Sequence, residues 1–196
     1  MTANINQESL DQLFTNARTH NAWLKKPVGV NLLRAVWDLA KMGPTSANCS
    51  PARIVFIVSD DAKERLKPCL IKENIEKTLS APVTAIIGSD QKFYNRLGEL
   101  FPHTDARPWF VGNEALIRST AFRNSSLQGA YFMLAARALG LDCGPISGYD
   151  NQGVDDVFFA GEDIKSNFLC NIGYGSGEGM FARSPRLDFD EACQVL

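Results

Sequence analysis

The sequence predicts a single domain that combines helices and strands, and three observations support that fold class. The chain has 196 residues, which suits one domain spanning residues 1–196. Apolar residues recur at helical spacing in segments that alternate with short apolar, β-branched runs. The run at residues 53–58 is apolar on both faces, so we expect this strand to lie centrally in a covered sheet.

Two predicted helices precede that strand. Apolar residues at helical spacing follow Ser9, which offers a start for the first helix. The second helix covers about residues 31–42. Gly43 is its expected stop, because glycine is common just beyond helix ends.

Two further helices and a second strand are expected after residue 58. Asp60 is the expected cap of the third helix, and Pro68 suggests a break inside it because proline lacks an N–H donor. A helix that carries Asn74 and Lys77 on one face leads to a strand at residues 83–87.

The middle of the chain contains its least regular segment and its longest helix. Residues 90–112 are rich in aromatic residues and broken by prolines, which suits a lid or a dimer contact better than a core element. The long helix is expected to run from a cap at Asn113 to a stop at Gly140. Small residues crowd it, so we expect neighbours from the same chain and from a partner chain to cover it.

The last quarter of the chain returns to short elements. A short strand and a loop of Gly, Pro and Ser occupy residues 141–150, and Asp150 is the expected cap of the next helix. Residues 167–172 form the last predicted strand. Asp188 and Glu191 have the spacing of a capping box for a terminal helix.

Composition and missing motifs exclude several functions. The net charge of −2 indicates no nucleic-acid surface, and no apolar run reaches the roughly 20 residues that cross a bilayer. The first eight residues lack the form of a signal peptide. Five scattered cysteines favour reduced thiols in a cytoplasmic protein, and we expect no metal site. The G-x-S-x-G, G-x-G-x-x-G and G-x-x-x-x-G-K-[ST] motifs are absent.

A polar loop before the first strand is the leading candidate binding segment. Thr45, Ser46 and Asn48 lie between Pro44 and Pro51, on a backbone with many free N–H groups. Such a loop could surround a flat ligand with many hydrogen-bond acceptors. It is equally consistent with an ordinary helix-to-strand connection.

Two smaller clusters carry charge. Arg18 and His20 follow the first helix and could bind a phosphate or carboxylate, because arginine grips oxyanions with a two-pronged fork. The alternative is a solvated helix end. Asn74 and Lys77 are a weaker candidate, since this pair on a helix surface usually contacts only solvent.

Six motifs occur in an order that resembles the nitroreductase-like flavoenzymes over essentially the whole chain. They are Arg-x-His, Pro-Thr-Ser-Ala-Asn-Cys-Ser-Pro, Asn-x-x-Lys, Ala-Leu-Gly-Leu-Asp, Gly-Pro-Ile-Ser-Gly-Tyr-Asp and a late Arg-x-x-Arg. Residues 105–107, 121–126 and 165–167 look like the malonic semialdehyde reductase branch of uracil degradation.

The resemblance implies an α+β fold with a central, mainly antiparallel sheet flanked by helices. It also implies an intertwined homodimer with one FMN at each of two subunit interfaces, and NADPH or NADH as the reductant. No catalytic side chain is expected, because FMN itself carries out hydride transfer.

The resemblance assigns the candidate residues to parts of FMN. The residues that would hold its phosphate are Arg18, His20, Arg183 and Arg186. Those that would reach the flavin from the partner subunit are Pro44, Thr45, Ser46 and Asn48. Those that would meet the polar edge of the ring are Asn74 and Lys77, with Lys77 as electrostatic support. Those that would line the face near N5 are Pro145, Ser147 and Gly148.

The expected activity is the reduction of malonic semialdehyde (3-oxopropanoate) to 3-hydroxypropanoate by ping-pong hydride transfer. The alternatives are a broad nitro- or quinone-reductase and a flavin store or sensor without turnover. An acidic substrate needs a nearby cation, for which Arg107 is the first candidate and Arg123 the second. Arg107 could instead pair with Asp105 or with solvent.

Overall fold

A four-stranded antiparallel sheet forms the centre of the computed structural model, which describes residues 3–196. Residues 1 and 2 of the predicted domain lie outside the described residues. Strands β1 to β4 are Ala52–Ile57, Val83–Asp90, Asp142–Ile146 and Ile164–Gly173. Their order in the sheet is β1-β2-β4-β3, and each neighbouring pair is antiparallel. The predicted α+β class with an antiparallel sheet is therefore confirmed.

Helices cover the sheet on both faces. Helices α1 to α8 are Gln7–Leu10, Val30–Ala40, Asp60–Leu66, Lys72–Leu79, Leu97–Leu100, Glu114–Ala138, Asn151–Phe158 and Phe189–Ala192. A π-helical turn, Asp11–Thr15, continues α1. Shorter 3₁₀ turns are Ser46–Asn48, Lys67–Cys69, Phe93–Arg96 and Arg107–Trp109. The turn at Lys67–Cys69 is the break that Pro68 predicted.

The strand predicted to be central lies at an edge. β1 is the first strand of the sheet, and its four middle residues are only half-buried. β2 is one of the two interior strands and is buried along almost its whole length, and its alternate side chains reach opposite cores. Ile87 packs with α2 and α6, whereas Ile86 packs with α3 and α7. An apolar run on both faces indicates that other elements cover the strand above and below. It does not indicate whether another strand pairs with it on each side.

Two predicted helix caps are wrong by a few residues. The Asn6 side chain, and not Ser9, caps α1 by accepting a hydrogen bond from the backbone N–H of Ser9 at 2.8 Å. Ser59, and not Asp60, caps α3 by accepting from the N–H of Ala62 at 3.2 Å. Asp60 instead begins the first turn, where its negative charge favours the positive end of the helix dipole.

Gly43 allows close packing, and it is not the helix stop that the sequence suggested. Helix α2 ends at Ala40, two residues short of the predicted end, and Gly43 has no positive φ. A Cβ on Gly43 would lie 2.0 Å from Cδ2 of Tyr131, so only glycine lets this turn approach α6.

The long helix α6 has the predicted ends. The Asn113 side chain accepts from the N–H of Leu116 at 3.1 Å, and Gly140 follows the helix with φ of 76°. Its amino-terminal half packs against the segment of residues 90–112. Phe93, Tyr94 and Phe110 are buried there, so the expectation that this segment stays outside the core is wrong for them.

The helices and strand that follow residue 149 lie where the sequence predicts them, but not every predicted contact is present. Asp150 precedes α7, although its side chain caps no backbone N–H. Asp188 and Glu191 form the predicted capping box of α8. The last strand is longer than the predicted run at residues 167–172, because β4 extends from Ile164 to Gly173.

A glycine in β3 lets the segment that carries Arg18 and His20 lie across the sheet edge. Thr19 forms a parallel bridge with Cys143, and the N–H of His20 donates to the Cys143 carbonyl at 3.1 Å. A Cβ on Gly144 would lie 2.5 Å from the His20 carbonyl oxygen. The absence of a side chain at Gly144 therefore positions the candidate oxyanion cluster.

We expect Gly144→Ala to lower the free energy of unfolding by about 1–3 kcal/mol, because a backbone atom opposes the added methyl group. Urea unfolding followed by circular dichroism measures the change. Gly98→Ala is the matched control, since a Cβ there would meet no atom within 4 Å. Equal stability of the Gly144 variant and the wild-type protein would contradict this packing argument.

Candidate functional site

The first candidate site is a cavity of about 500 Å³ that collects positive charge. We call it the arginine pocket. The residues that line it are Phe14, Ala17, Arg18, Thr19, Asn21, Arg137, Phe181, Ala182, Arg183, Ser184 and Arg186. Four of these are arginines and none is an aspartate or glutamate. A concave site with this charge favours an anion.

Backbone carbonyls orient two of the arginines. The Arg18 guanidinium donates to the Phe181 carbonyl, and that of Arg183 donates to the Thr15 and Ala17 carbonyls at 2.5 and 3.1 Å. These bonds fasten the carboxyl-terminal segment across the turn after α1. Carbonyl groups are dipoles without net charge, so these contacts leave the cationic character of the pocket in place.

Arg137, at the end of α6, is a pocket residue that sequence reasoning missed. Its Nη1 donates to the Leu13 carbonyl at 3.1 Å, while its buried Nε has no hydrogen-bond partner among residues 3–196. A buried donor without a partner is costly and rare. The sequence carried no clear signal, because arginine in the last turn of a helix commonly serves only the helix dipole.

The structure places His20 outside the lining of the arginine pocket. Its Nε2 lies 3.3 Å from Oδ1 of Asp142, and its side chain is only 12% exposed. A Cβ on Gly175 would lie 1.8 Å from its Nδ1, so the ring packs tightly on that glycine. The N–H of Gly175 also donates to Oδ2 of Asp142 at 2.8 Å. His20 therefore joins the Arg18 segment to the start of β3 and to the residues that follow β4.

A second cavity, of about 600 Å³, adjoins the arginine pocket and contains Lys77. We call it the Lys77 cleft. Asn21 and Phe181 line both cavities, so the two lie side by side. The Lys77 backbone is firmly placed, because its carbonyl accepts from Nε1 of Trp23 at 3.0 Å and from Nδ2 of Asn171 at 3.2 Å. The acidic residues that line the cleft are Glu73, Glu76 and Glu178.

The fold places Asn74 beside Gly148, and the sequence predicts that both residues bind the flavin ring. The buried Asn74 side chain donates from Nδ2 to the Gly148 carbonyl at 2.7 Å. A Cβ on Gly148 would lie 2.6 Å from Cδ1 of Ile71, so the loop approaches α4 closely. Pro145, near the end of β3, and Ser147, in the loop that follows it, line a separate cavity of about 420 Å³.

Helix α6 anchors both ends of the polar loop that precedes β1. The amide oxygen of Asn124 accepts from the N–H of Ser46, and that of Gln128 accepts from the N–H of Ala52, each at 2.8 Å. The Tyr131 hydroxyl donates to the Pro44 carbonyl at 3.1 Å. The three anchors lie at positions i, i+4 and i+7 of the helix and so share one face.

The anchored loop has an unusual backbone. Ala47, Asn48 and Ser50 have φ values of 49°, 49° and 40°, in the left-handed region that favours glycine. Each such residue costs about 1–2 kcal/mol unless its surroundings compensate. The Asn48 side chain donates to the Leu100 carbonyl at 2.8 Å, which adds a further restraint.

The remaining predicted residues lie apart from these cavities. Residues 44–48 line neither the arginine pocket nor the Lys77 cleft. Nε of Arg107 donates to Oδ1 of Asn95 at 3.2 Å, a partner that the sequence did not suggest, and Arg107 is exposed. Arg123 is exposed on α6. One chain therefore gathers the predicted phosphate arginines but not the loop or the predicted substrate residues.

Two negative findings apply to residues 3–196. No group of three or more His, Cys, Asp or Glu side chains is placed to hold a metal ion. None of the helices described is long and apolar enough to cross a membrane.

Comparison with known proteins identifies relatives across almost the whole chain. Residues 14–174 match the model of the Nitroreductase family. A Burkholderia lata protein provisionally named NADH dehydrogenase/NAD(P)H nitroreductase is 61% identical over 191 residues, which cover 97% of this chain and 98% of the relative.

Solved structures share the fold at low sequence identity. A provisionally named nitroreductase from Exiguobacterium sibiricum, in complex with FMN, has a TM-score of 0.85 at 19% identity and covers all of both chains. A provisionally named NAD(P)H:FMN oxidoreductase from Staphylococcus epidermidis has a TM-score of 0.85 at 19% identity, covering 100% of this chain and 98% of its own.

We expect a single fast-reacting thiol in the native protein. Cys193 is exposed, whereas the other four cysteines are buried, and burial raises the pKa of Cys49 in the loop to about 11. At pH 8 roughly one thousandth of Cys49 is therefore the reactive thiolate. Titration with dithionitrobenzoate should give one rapid equivalent, which Cys193→Ser removes, and five after denaturation. A rapid second equivalent in the native protein would contradict this prediction.

Proposed function

Because this chain belongs to the Nitroreductase family, we propose that it is an FMN-dependent NAD(P)H oxidoreductase that acts as a homodimer of single-domain subunits. The family that the six motifs suggested is therefore the correct one. A cytosolic location is part of the proposal, and the five free cysteines favour it.

The arginine pocket is the observation that carries this proposal. A phosphate monoester carries close to two negative charges at neutral pH, and arginine binds its oxygens in a fork. The pocket offers four arginines without a carboxylate, and the buried Nε of Arg137 lacks a partner. The residues present therefore fit the phosphate end of FMN.

The remaining residues are assigned by their position relative to that pocket. We propose that Arg18, Arg137, Arg183 and Arg186 bind the phosphate. His20, which contacts Asp142, would position the Arg18 segment and not touch the phosphate. Lys77 lines the adjoining cleft together with three glutamates, and it is the lysine that would support electron-rich groups on a bound ring.

The flavin ring would then lie among groups from two subunits. When bound, FMN supplies the hydride transfer chemistry. Asn74, through its bond to Gly148, orders the loop that carries Ser147 and follows Pro145 of β3. Pro44, Thr45, Ser46 and Asn48 would come from the partner subunit, which agrees with their distance from both cavities of their own chain.

Nitro- or quinone-reduction is the better supported activity. The Burkholderia lata relative carries a nitroreductase name, and nothing in the comparisons supports malonic semialdehyde as substrate or a role in pyrimidine degradation. We therefore propose broad nitro- and quinone-reductase activity and keep the reduction of 3-oxopropanoate as the alternative. A flavin store or sensor without turnover is the alternative outside catalysis.

The function is tested with the purified yellow protein. Anaerobic addition of NADPH or NADH should bleach the flavin absorbance, and air should restore it. Steady-state rates with a nitroaromatic, a quinone and 3-oxopropanoate, measured side by side, then rank the substrates. A flavin that neither NADPH nor NADH reduces would identify a store or sensor instead.

We expect Arg18→Ala to weaken FMN binding about tenfold or more, because a charge-assisted hydrogen bond to phosphate contributes about 1.5–3 kcal/mol. Flavin retained after desalting, measured by absorbance, reports the loss. Arg118→Ala removes an exposed arginine of α6 that does not line the pocket, and it should retain flavin like the wild-type protein. Undiminished flavin in the Arg18 variant would exclude Arg18 as a ligand.

Arg107→Ala separates the two substrate classes. If Arg107 binds a substrate carboxylate, the variant should raise KM for 3-oxopropanoate roughly tenfold and leave turnover of an uncharged quinone near the wild-type value. Arg118→Ala again serves as the control. Equal losses on both substrates would indicate a structural role for Arg107, through its contact with Asn95.

A further inference from the structure

We propose that Asn124 and Gln128 are positioning residues that keep the loop of residues 44–52 in the conformation that binds the flavin ring. The inference rests on the proposed function, since it deepens the role of a loop expected to contact FMN. Neither amide touches the ligand in this scheme. Both act through the backbone of the loop.

The oxygens of both amides are buried and accept hydrogen bonds from the loop. Asn124 is 0% exposed and Gln128 is 1% exposed, so water does not compete for their oxygens. The Nδ2 group of Asn124 donates to the Thr120 carbonyl at 2.9 Å, which turns its oxygen toward the N–H of Ser46. Gln128 binds the N–H of Ala52, the first residue of β1. Each end of the loop therefore has its own acceptor inside the core.

A role confined to packing α6 explains these residues poorly, because apolar side chains would fill the same space without the desolvation that a buried amide requires. Such side chains would, however, leave the N–H groups of Ser46 and Ala52 without these acceptors, so the amides serve the loop and not the helix. The amides bond to the loop, and the loop is the part of the chain where three non-glycine residues have a left-handed backbone. Backbone strain of this kind persists only where the surroundings impose it, and it clusters at ligand sites.

The anchors also leave several side chains of the loop exposed. Both amides bind backbone N–H groups, while the side chains of Pro44, Ser46 and Asn48 remain exposed. Thr45 accepts from the N–H of Ser50 within the loop, which adds to its rigidity. The loop is thus rigid in its backbone and accessible at its surface, as preorganised binding requires.

Dilution of the purified holoprotein tests the inference. Serial dilution releases flavin, and the rise in free-flavin fluorescence gives the Kd for FMN. The same series after reconstitution with riboflavin gives the Kd for the ring without phosphate. Asn124→Ala should weaken both ligands by the same factor, about tenfold, because the loop serves the ring. Arg18→Ala should weaken FMN alone.

Three further variants make the result specific. Ser125→Ala removes a neighbouring buried hydroxyl of α6 that bonds to Phe122 and Asn167 and not to the loop, so both Kd values should stay within twofold of the wild type. Gln128→Met keeps the side-chain volume without an acceptor and should also weaken both ligands. Ala47→Gly added to Asn124→Ala should recover part of the affinity, since glycine adopts a positive φ freely.

The outcomes separate this inference from the function on which it rests. Wild-type Kd values in Asn124→Ala and Gln128→Met would overturn the positioning role and leave the proposed function intact. Weaker binding without recovery by Ala47→Gly would assign the amides to general stability and would also overturn it. A wild-type protein that retains neither FMN nor riboflavin would overturn the proposed function, and this inference with it.

Discussion

Helix α6 carries polar side chains on the face that packs into the core, and the need to give these side chains hydrogen-bond partners shapes the segments around the helix. α6 contacts α2 and all four strands. Asn124 and Gln128 lie on its buried side and bond to the loop before β1. Ser125 and Ser126 accept from Asn167 of β4. The polar groups of the helix thus connect the core to the segments around the candidate site.

The charged residues of this protein are distributed unevenly, which its net charge does not reveal. The chain carries a net charge of −2, yet four arginines meet in one pocket without a carboxylate among its lining residues. They come from the turn after α1, the end of α6 and the carboxyl-terminal segment. Arg18 and Arg183 are bonded to carbonyls of each other's segments, so the contacts that close the pocket also fasten the carboxyl-terminal segment. The same hydrogen bonds therefore shape the pocket and position this segment.

A second recurring feature is a glycine that lets two segments of the chain approach each other closely. Gly43 lies against Tyr131, Gly144 against the His20 carbonyl and Gly175 against the His20 ring. Each glycine brings a candidate binding segment onto the core at a distance that a methyl group would prevent. The loop of residues 44–52 differs, because non-glycine residues there take a left-handed backbone and buried amides hold them. Rigidity in that loop therefore depends on distant contacts and not on local propensity.

Sequence alone predicted the α+β class, the positions of most helices and strands, and the family, because these depend on local periodicity, end residues and motif order. Cap positions at Ser9 and Asp60 were wrong by one to three residues, since neighbouring Asn and Ser offer the same chemistry. The resemblance to the family also suggested Arg18, Arg183 and Arg186 as ligands of one phosphate.

Only the tertiary structure decided which of these residues meet. It placed β1 at the sheet edge, His20 against Asp142, and Arg107 beside Asn95. It also added Arg137 to the arginine pocket and joined Asn124 to Ser46 across 78 positions of the chain. Such pairings depend on how segments distant in sequence pack together, and local patterns carry no record of them because burial on a helix face looks the same whichever neighbour covers it.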